Sequence, residues 1–300
     1  MIQPPHLKQG DLIGMVCPAG TLPQNKVKDC VHTLESWGYK VQVGPTVGAK
    51  HHSFAGTDAQ RASDLQKMLD NPKIKAIICG RGGYGVTRII DQIDFTAFLK
   101  KPKWVIGFSD ITILHAALQK QKVMSIHGPM SAAFSKGEVG AIFTQSIKSI
   151  LEGKAVEYIA PVHAFNKNGK AHARLVGGNL CLVAHMIGSS IAFNTKGKIL
   201  FLEDIGEFHY NLDRMVIQMK RAGVFDHLAG LIVGGFSDMR DEPKVFGATA
   251  YEIIAQHVAD YSFPVCYGFP VSHSLENFAL IEGGMYDLEV TKKGVTLNEA

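Results

Sequence analysis

The chain has 300 residues, of which 46% are hydrophobic and 19% charged, and it carries a formal net charge of +4. This composition is typical of a globular α/β protein and excludes a disordered chain. The length suffices for two domains of ordinary size or for one large domain. Because the charge is mild and no basic run exceeds two residues, nucleic acid is not predicted as a partner.

Targeting and redox signals point to the cytoplasm. No apolar stretch approaches the roughly 20 residues that a membrane span needs, so no membrane partner is predicted. Residues 1–16 lack the basic, apolar and small-residue order of a signal peptide. The five cysteines are scattered and form no C-x-x-C pair, which favours a reducing compartment and gives no zinc framework.

Short apolar strands alternate with helical segments in the first half of the chain. Predicted strands cover 11–20, 39–45, 74–80 and 103–108, and predicted helices cover 25–38, 58–72, 85–93 and 110–121. This alternation predicts a parallel sheet with both faces covered by helices. Ligands of such sheets bind beyond the carboxyl ends of the strands, where the stretches GRGGYG (80–85) and GFSDIT (107–112) lie.

The second half begins after a polar stretch, 152–178, that is rich in Gly, Lys and Asn and lacks helical periodicity. We place the domain boundary there, with one domain over 1–160 and another over 161–300. Beyond it, the patterns predict strands at 197–206 and 228–236, helices at 211–225 and 248–261, and a closing hairpin at 287–299.

The stretch GRGGYG supports three interpretations. It matches the G-x-G-x-x-G pattern of dinucleotide sites, but it follows the third strand and lacks the acidic residue expected about 20 residues later. A glycine turn that only permits close backbone packing is a second interpretation. The third is a loop whose N–H groups face an anion, including one that forms during a reaction.

Ser109 stands where a buried strand is predicted to become a helix. A serine there is the usual helix N-cap, and Asp110 in the first turn suits the helix dipole. The alternative is a nucleophile at a sharp strand-to-helix turn, which the preceding Gly107 would allow, although the second glycine of G-x-S-x-G is absent. A serine nucleophile needs a base and a carboxylate.

The carboxylate candidates are Glu203 and Asp204, at the end of the apolar run KILFLED. A charge leaving a buried strand needs a partner, and side chains alternate across a strand, so only one of the two can face a given site. The structural alternative for these acids is an N-cap or a salt bridge to Arg214.

Histidines compete for the role of base. His115 is expected to pack within the helix after Ser109, while His51 and His52 sit in a polar loop. His127 lies at an apparent strand end and His273 lies in a loop bounded by proline and glycine, and spacing does not decide between these two. No H-E-x-x-H or comparable ligand set is present, so neither a metal nor a cofactor is predicted.

Five blocks in order resemble the LD-carboxypeptidase family, the serine peptidases of murein recycling and microcin immunity: GFSDIT, SIHGPM, LVGGNL, LFLEDIGE and GFPVSHSLENFAL. DLIGMVCPAG and GRGGYG match as well, so the resemblance covers nearly the whole chain. It implies a triad of Ser109 as nucleophile, Glu203 as orienting acid and His273 as base. It also implies an oxyanion hole formed by the backbone N–H groups of Asp110 and of a glycine in GRGGYG, most simply Gly83.

The resemblance further implies a fold, a substrate and a partner. The family has a flavodoxin-like N-terminal domain and a smaller, swivelling, β-rich C-terminal domain, and its members are usually homodimers. The implied reaction releases terminal D-Ala from a cytoplasmic murein tetrapeptide. Arg81 is the strongly basic residue within these blocks, so it is the candidate to hold the product-side carboxylate. The structural alternative for Arg81 is a surface or domain-interface ion pair.

Three alternatives remain open. A microcin-immunity hydrolase would cleave a peptidyl-nucleotide and stack the base on an aromatic residue, for which Phe208 or Tyr210 would have to serve. A non-catalytic nucleotide-binding module would use GRGGYG. An interaction protein would use Ser109 only as a helix cap.

Overall fold

The computed structural model describes residues 1–241 and 243–300. The strands are β1 Leu12–Val16, β2 Lys40–Val43, β3 Ile74–Cys79, β4 Trp104–Gly107, β5 Ser125–His127, β6 Glu157–Ala160, β7 Gly169–Asn179, β8 Ile199–Ile205, β9 Gly230–Ser237, β10 Val265–Tyr267, β11 Leu280–Glu282, β12 Met285–Thr291 and β13 Gly294–Glu299. The helices are α1 Lys28–Ser36, α2 Asp58–Asp70, α3 Thr96–Lys100, α4 Thr112–Lys120, α5 Gly137–Leu151, α6 Leu180–His185, α7 His209–Arg221 and α8 Ala250–Val258.

The chain forms two compact units. The first comprises Met1–Lys154 and Phe278–Glu282, and the second comprises Ala155–Asn277 and Gly283–Ala300. This division differs from 1–160 and 161–300 in two respects. The boundary falls after Lys154, and strand β11 belongs to the first unit because it pairs antiparallel with β5.

The first unit contains a sheet in the order β11-β5-β4-β3-β1-β2. Strands β2, β1, β3, β4 and β5 run parallel, which is the flavodoxin-like order, and the order reverses between β1 and β3. The predicted parallel α/β sheet is therefore confirmed. The loops after β1, β3 and β4 lie at the carboxyl edge, where such folds bind ligands.

Local signals fix most elements of this unit, with one exception. Helix α2 opens with a capping box between Thr57 and Gln60, which satisfies N–H groups of the first turn. The helix predicted over 85–93 is wrong: two 3-10 turns, Val86–Arg88 and Ile90–Gln92, stand there, and α3 follows. The helical conformation is interrupted at Ile89, which has a φ of −117°, and ends at Ile93, which is extended.

The second unit contains a sheet in the order β10-β9-β8-β7-β12-β13-β6. Strands β7 to β10 are parallel, and β12, β13 and β6 extend the sheet with antiparallel pairs. The predicted strands, helices and closing hairpin of this half are confirmed. Strands β6, β7 and β10 and helix α6 were not predicted. In β6 and the first half of β7, exposed and buried residues alternate within a polar stretch, which is the strand signal that the composition of 152–178 concealed.

The core of the second unit holds the end of β8 in place. Leu200 and Leu202 from β8 and Val233 from β9 pack in one buried cluster with Leu212 and Val216 from α7. Burial of such side chains stabilises the fold by about 1.5–3 kcal/mol each. None of the helices in the described part of the chain is long and apolar enough to cross a lipid bilayer.

Candidate active site

Ser109 lies at a sharp turn directly after β4. Its φ is 63°, a left-handed conformation that costs a residue with a side chain about 1–3 kcal/mol. Ser109 is the first residue of a 3-10 turn, Ser109–Ile111, whose N-cap position is held by Phe108 without a side-chain capping bond. The N-cap interpretation is therefore wrong. Strain of this kind is typical of an exposed nucleophile.

The turn before Ser109 is held by close packing at Gly107 and by a hydrogen bond from His115. A Cβ at Gly107 would lie 2.9 Å from Ile111 Cγ1 and 3.2 Å from Cys79 Cβ, so the glycine is required for space rather than for a left-handed torsion. Buried His115 donates from Nε2 to the Gly107 carbonyl (2.8 Å), and its Nδ1 lies 2.8 Å from Ser125 Oγ. Burial lowers the pKa of His115 to about 4, against the opposing bond to Gly107. His115 is thus a neutral packed residue, as expected.

The loop after β3 lies against Ser109. A Cβ at Gly82 would lie 2.9 Å from Ser109 Cβ, 3.1 Å from its Oγ and 3.3 Å from the Asp110 nitrogen. The Gly82 carbonyl accepts from Gly20 N–H at 2.9 Å. Since a trans peptide directs its N–H opposite its carbonyl, the Gly83 N–H faces away from Gly20.

Two backbone N–H groups near Ser109 are available to an anion. Within residues 1–241 and 243–300, neither the Gly83 N–H nor the Asp110 N–H donates to a protein acceptor.

The dinucleotide interpretation of GRGGYG is wrong, because the described residues directly after these glycines lack the helix that this interpretation requires. A dinucleotide fingerprint opens a helix, whereas the glycines here are followed by a three-residue 3-10 turn.

The Asp110 side chain binds the far end of the glycine loop. Its Oδ2 accepts from the Val86 N–H at 2.8 Å, and the side chain is only 2% exposed. Burial raises the pKa of Asp110 to about 6, while the bond from Val86, the charge of Arg61 and a bond from Gly85 act in the opposite direction.

Arg61 is fully buried beneath the same loop. Its Nη1 donates to the carbonyls of Pro18 (2.6 Å) and Gly85 (2.8 Å), and its Nε donates to Gly56. Its other nitrogen pairs with Asp58. The guanidinium therefore ties three loops at the carboxyl edge of the sheet.

Arg81, the predicted carboxylate ligand, lies on the surface of the glycine loop. Its Nη1 donates to the Thr21 carbonyl at 2.8 Å. It forms no salt bridge with any residue that the structure describes, so the alternative of an interface ion pair receives no support.

In the second unit, Glu203 and His273 form a pair. His273 Nδ1 donates to Glu203 Oε2 at 2.5 Å, and the side chains are 12% and 0% exposed. Burial opposes protonation, but the bond and charge of Glu203, with the charge of Asp204, outweigh it and raise the pKa of His273. The bond at Nδ1 fixes the tautomer in which Nε2 is the basic atom. The acid and the histidine of a serine triad are paired in the same way.

Asp204 points away from this pair. Its carboxylate accepts from Asn179 Nδ2 (2.7 Å) and from the backbone N–H groups of Cys181 (2.9 Å) and Ile205 (2.8 Å). Burial and the neighbouring charge of Glu203 raise the pKa of Asp204 to about 7. Alternation along β8 thus separates the two acids as predicted, and the interpretation of Glu203 as an N-cap or a partner of Arg214 is wrong.

The His273 loop is held against β9 by two glycines. The Gly235 N–H donates to the Val271 carbonyl at 2.9 Å. A Cβ at Gly235 would lie 2.5 Å from Ser272 Cβ, and one at Gly234 would lie 2.2 Å from the Val271 carbonyl oxygen. The stretch VGGF was read only as a strand, and its glycine pair is the sequence signal for this close approach.

His127 occupies a different environment from His273. It is fully buried at the end of β5, with ring centroids 5.9 Å from Phe108 and 6.3 Å from His115. It is therefore placed in the interior of the first unit. Of the two histidines that spacing left open, His273 has Glu203 as its carboxylate partner.

The predicted residues thus fall into two sets. In the first unit, Ser109 and Asp110 lie against Gly82, the neighbour of Gly83, and in the second unit Glu203 pairs with His273. Gly82 and Arg61, which contact Ser109 and the glycine loop, were not predicted from the sequence. Arg61 carried a signal, because it lies on the apolar face of α2 with Leu65, Met68 and Leu69. Within the described residues, no group of three or more His, Cys, Asp or Glu side chains could hold a metal ion.

Comparison with known proteins places the chain. The LD-carboxypeptidase N-terminal domain profile matches residues 13–128, and the C-terminal domain profile matches residues 172–288. A probable murein peptide carboxypeptidase of Bacillus subtilis is 31% identical over 97% of this chain and 92% of its own. The crystal structure of a muramoyltetrapeptide carboxypeptidase from Oxalobacter formigenes superimposes with a TM-score of 0.88 at 28% identity, over 96% of this chain and 98% of that one.

A microcin self-immunity protein of Escherichia coli is also similar, at 24% identity over 98% of this chain and 94% of its own. The two profiles and the B. subtilis relative together cover both units. They show that the protein belongs to the LD-carboxypeptidase family.

Proposed function

We propose that this carboxypeptidase is a serine enzyme that hydrolyses the L,D bond releasing terminal D-Ala from a murein tetrapeptide. The observation that carries the proposal is the strained backbone of Ser109. It is supported by the Asp110 and Gly83 N–H groups next to the contact between Ser109 and Gly82, neither of which donates to a protein acceptor among the described residues. The hydrogen-bonded pair of His273 and Glu203 supplies the base that such a serine needs.

In the proposed mechanism, His273 Nε2 removes the proton from Ser109 Oγ, and Oγ attacks the scissile carbonyl carbon. The N–H groups of Asp110 and Gly83 stabilise the oxyanion. The protonated His273 then gives its proton to the amine of D-Ala as the C–N bond breaks. Water, deprotonated by His273, attacks the acyl-enzyme, and Ser109 recovers its proton. Glu203 orients the imidazole and stabilises its charge throughout.

The substrate assignment is supported by the named activities of relatives and by Arg81. The relatives act on murein peptides by name, and a terminal D-Ala carries a free carboxylate. A guanidinium beside the glycine loop suits that carboxylate in charge and geometry. The L,D preference requires that the residue on the acyl side of the scissile bond be L-configured. Inversion of its Cα would misplace the scissile carbonyl, and about 1 Å of displacement can cost a hundredfold in rate.

The test uses murein tetrapeptide and pentapeptide, with alanine release followed by mass spectrometry. We expect release from the tetrapeptide and none from the D-Ala–D-Ala bond of the pentapeptide. Ser109→Ala should abolish release while the unfolding midpoint stays equal or rises, because the substitution removes no cap. Equal release from both peptides would contradict the L,D assignment.

A second candidate has one observation in its favour. Phe208 and Tyr210 stack with ring centroids 5.6 Å apart, and Arg240 lies 5.0 Å from the Phe208 ring centroid. Such a surface suits the base of a peptidyl-nucleotide. Release from a glutamyl sulfamoyl adenosine probe, with no release from the tetrapeptide, would select this candidate instead.

The finer proposals are that the enzyme needs no metal, works in the cytoplasm and forms a homodimer. They rest on the complete set of nucleophile, base and acid and on the family resemblance. EDTA should leave the rate unchanged, and loss of activity restored by zinc would contradict the first of them. Light scattering of the purified chain measures its mass against 32.6 kDa for a monomer.

A further inference from the structure

The two proposed oxyanion donors belong to separate loops, so something must hold those loops together. The Asp110 N–H follows β4, and the Gly83 N–H follows β3. Among the described residues, neither N–H donates a hydrogen bond to a protein acceptor that would hold it in place. Donors for an oxyanion stabilise it only if they are fixed in place before the charge forms.

The side chain of Asp110 connects the two loops. Its own N–H is one donor, and its carboxylate accepts from the Val86 N–H at 2.8 Å, just beyond Gly83. The carboxylate is 2% exposed, so solvent does not loosen this bond. One residue therefore contributes a donor and clamps the loop that carries the other.

Arg61 clamps the same loop from the opposite side. It is fully buried, and its Nη1 donates to the Gly85 and Pro18 carbonyls. A Cβ at Gly85 would lie 2.5 Å from that Nη1, which shows how closely the guanidinium packs under the loop. The Val86 N–H that binds Asp110 and the Gly85 carbonyl that binds Arg61 belong to one trans peptide group and point in opposite directions, so the two side chains hold that peptide plane from both sides.

We infer that the side chains of Asp110 and Arg61 are positioning residues that hold the Gly83 and Asp110 N–H groups at a common point beside Ser109. This inference rests on the proposed serine mechanism for its catalytic consequence. Its structural content, the clamp on the Gly85–Val86 peptide, does not depend on which substrate is cleaved.

The test compares Asp110→Ala with Asp110→Asn and Asp64→Ala. Asp110→Ala should lower kcat on the tetrapeptide about a hundredfold, with KM within threefold. Asp110→Asn keeps an acceptor for the Val86 N–H and should recover most of kcat. Asp64 is an equally buried carboxylate that binds Thr46 instead, so its alanine variant should lose stability but keep kcat within threefold.

Amide hydrogen exchange of a peptide covering 80–88 measures the clamp directly. Exchange there should be at least tenfold faster in Asp110→Ala than in the wild type, and unchanged in Asp64→Ala. Arg61→Lys retains the positive charge but not the planar guanidinium fork. Like Asp110→Ala, it should therefore accelerate exchange of this peptide and lower kcat. Faster exchange with unchanged kcat, or lower kcat with unchanged exchange, would overturn the inference.

Failure of the proposed function is distinguishable from failure of the inference. If the wild type does not cleave the tetrapeptide, the substrate assignment fails. The rate at which a fluorophosphonate labels Ser109 then replaces kcat, because that reaction also places negative charge on an oxygen beside the nucleophile. A labelling rate in Asp110→Ala equal to the wild-type rate would reject the positioning role whatever the substrate is.

Discussion

At the residue scale, neighbouring side chains of one type have opposite roles. Glu203 and Asp204 are consecutive and both buried, yet one binds an imidazole and the other binds backbone N–H groups and an amide. Alternation along a strand sends them to opposite faces of the sheet. The chemistry of each carboxylate therefore depends on its face and not on its type.

Substitution of the acid in the His273 pair should affect both rate and pH dependence. We expect Glu203→Gln to lower kcat by about 10³–10⁴-fold, because the imidazolium loses its counter-charge. His273 works as a base only when neutral, so kcat/KM rises with pH through its pKa. Glu203 raises that pKa, so in Glu203→Gln the acidic limb should move to lower pH. A pH–rate profile of both enzymes measures this shift.

Asp204→Asn and His127→Ala are the controls for that prediction. Asp204 contributes a more distant charge to His273, so Asp204→Asn should move the acidic limb in the same direction by less. His127→Ala should reduce kcat less than His273→Ala does. A larger loss from His127→Ala would show that the base has been assigned to the wrong histidine.

At the element scale, the site depends on two turns that follow adjacent strands. Strands β3 and β4 pair in parallel, with Ile78 opposite Ile106. Parallel strands end at the same edge, so the glycine loop and the Ser109 turn meet there. The contact between them is made at Gly82, where any side chain would collide with Ser109.

Gly82→Ala tests this contact. A methyl group there would lie 2.9 Å from Ser109 Cβ, closer than non-bonded carbons approach, so the loop or the serine must move. We expect kcat to fall at least a hundredfold, in line with the cost of about 1 Å of misplacement. Gly10→Ala is the control: its φ is 83° but a Cβ there meets nothing within 4 Å, so it should lose some stability and keep kcat.

His115 provides a stability prediction for the same turn. Its pKa is about 4 in the folded protein and about 6.5 when unfolded. A depressed pKa means that the unfolded state binds the proton more tightly, so stability present above pH ~6.5 is lost as pH falls toward 4. The shift corresponds to about 3 kcal/mol. Denaturant unfolding at several pH values measures it.

His115→Leu is the variant for that measurement. It should be less stable than the wild type at pH 7, because the Gly107 carbonyl loses its buried donor. The difference between the two proteins should shrink as pH falls to 4. A constant difference across that range would show that His115 is not a buried neutral residue.

At the scale of the whole molecule, a short late segment completes the first sheet. Strand β11 pairs with β5 through Leu280 and His127, and the Ala279 N–H donates to Ser146 Oγ at 2.9 Å. Without β11, the backbone N–H and C=O groups of β5 would be unpaired along a sheet edge, and an unpaired edge promotes aggregation. The first unit is therefore not encoded by residues 1–154 alone.

Fragments test this dependence. We expect residues 1–154 to aggregate, and the same fragment with 276–284 joined by a flexible linker to fold as a monomer with a cooperative unfolding transition. Leu280→Asp in the joined segment should return it to the aggregated state, because that position is fully buried. Size-exclusion chromatography separates the outcomes, and a monomeric, cooperatively folded 1–154 fragment would show that β11 is dispensable.

The sequence by itself determined the architecture and indicated the candidate site residues. Alternating apolar strands and amphipathic helices specify a parallel sheet, because each pattern buries its apolar side only in that arrangement. The resemblance in ordered blocks indicated Ser109, Glu203 and His273, and the structure pairs the last two directly. These features are local in sequence or appear as ordered blocks of residue types, so they can be recognised without coordinates.

Only the tertiary structure decided the rest. Four features depend on contacts between segments far apart in the chain. They are the left-handed backbone of Ser109, the close approach at Gly82, the burial of Arg61 and the pairing of β11 with β5. Local propensity describes one segment at a time, so it favoured a helix cap at Ser109 and a helix over 85–93. The competing contacts came from other loops, and their hydrogen bonds and packing override local preference because they act on groups removed from water.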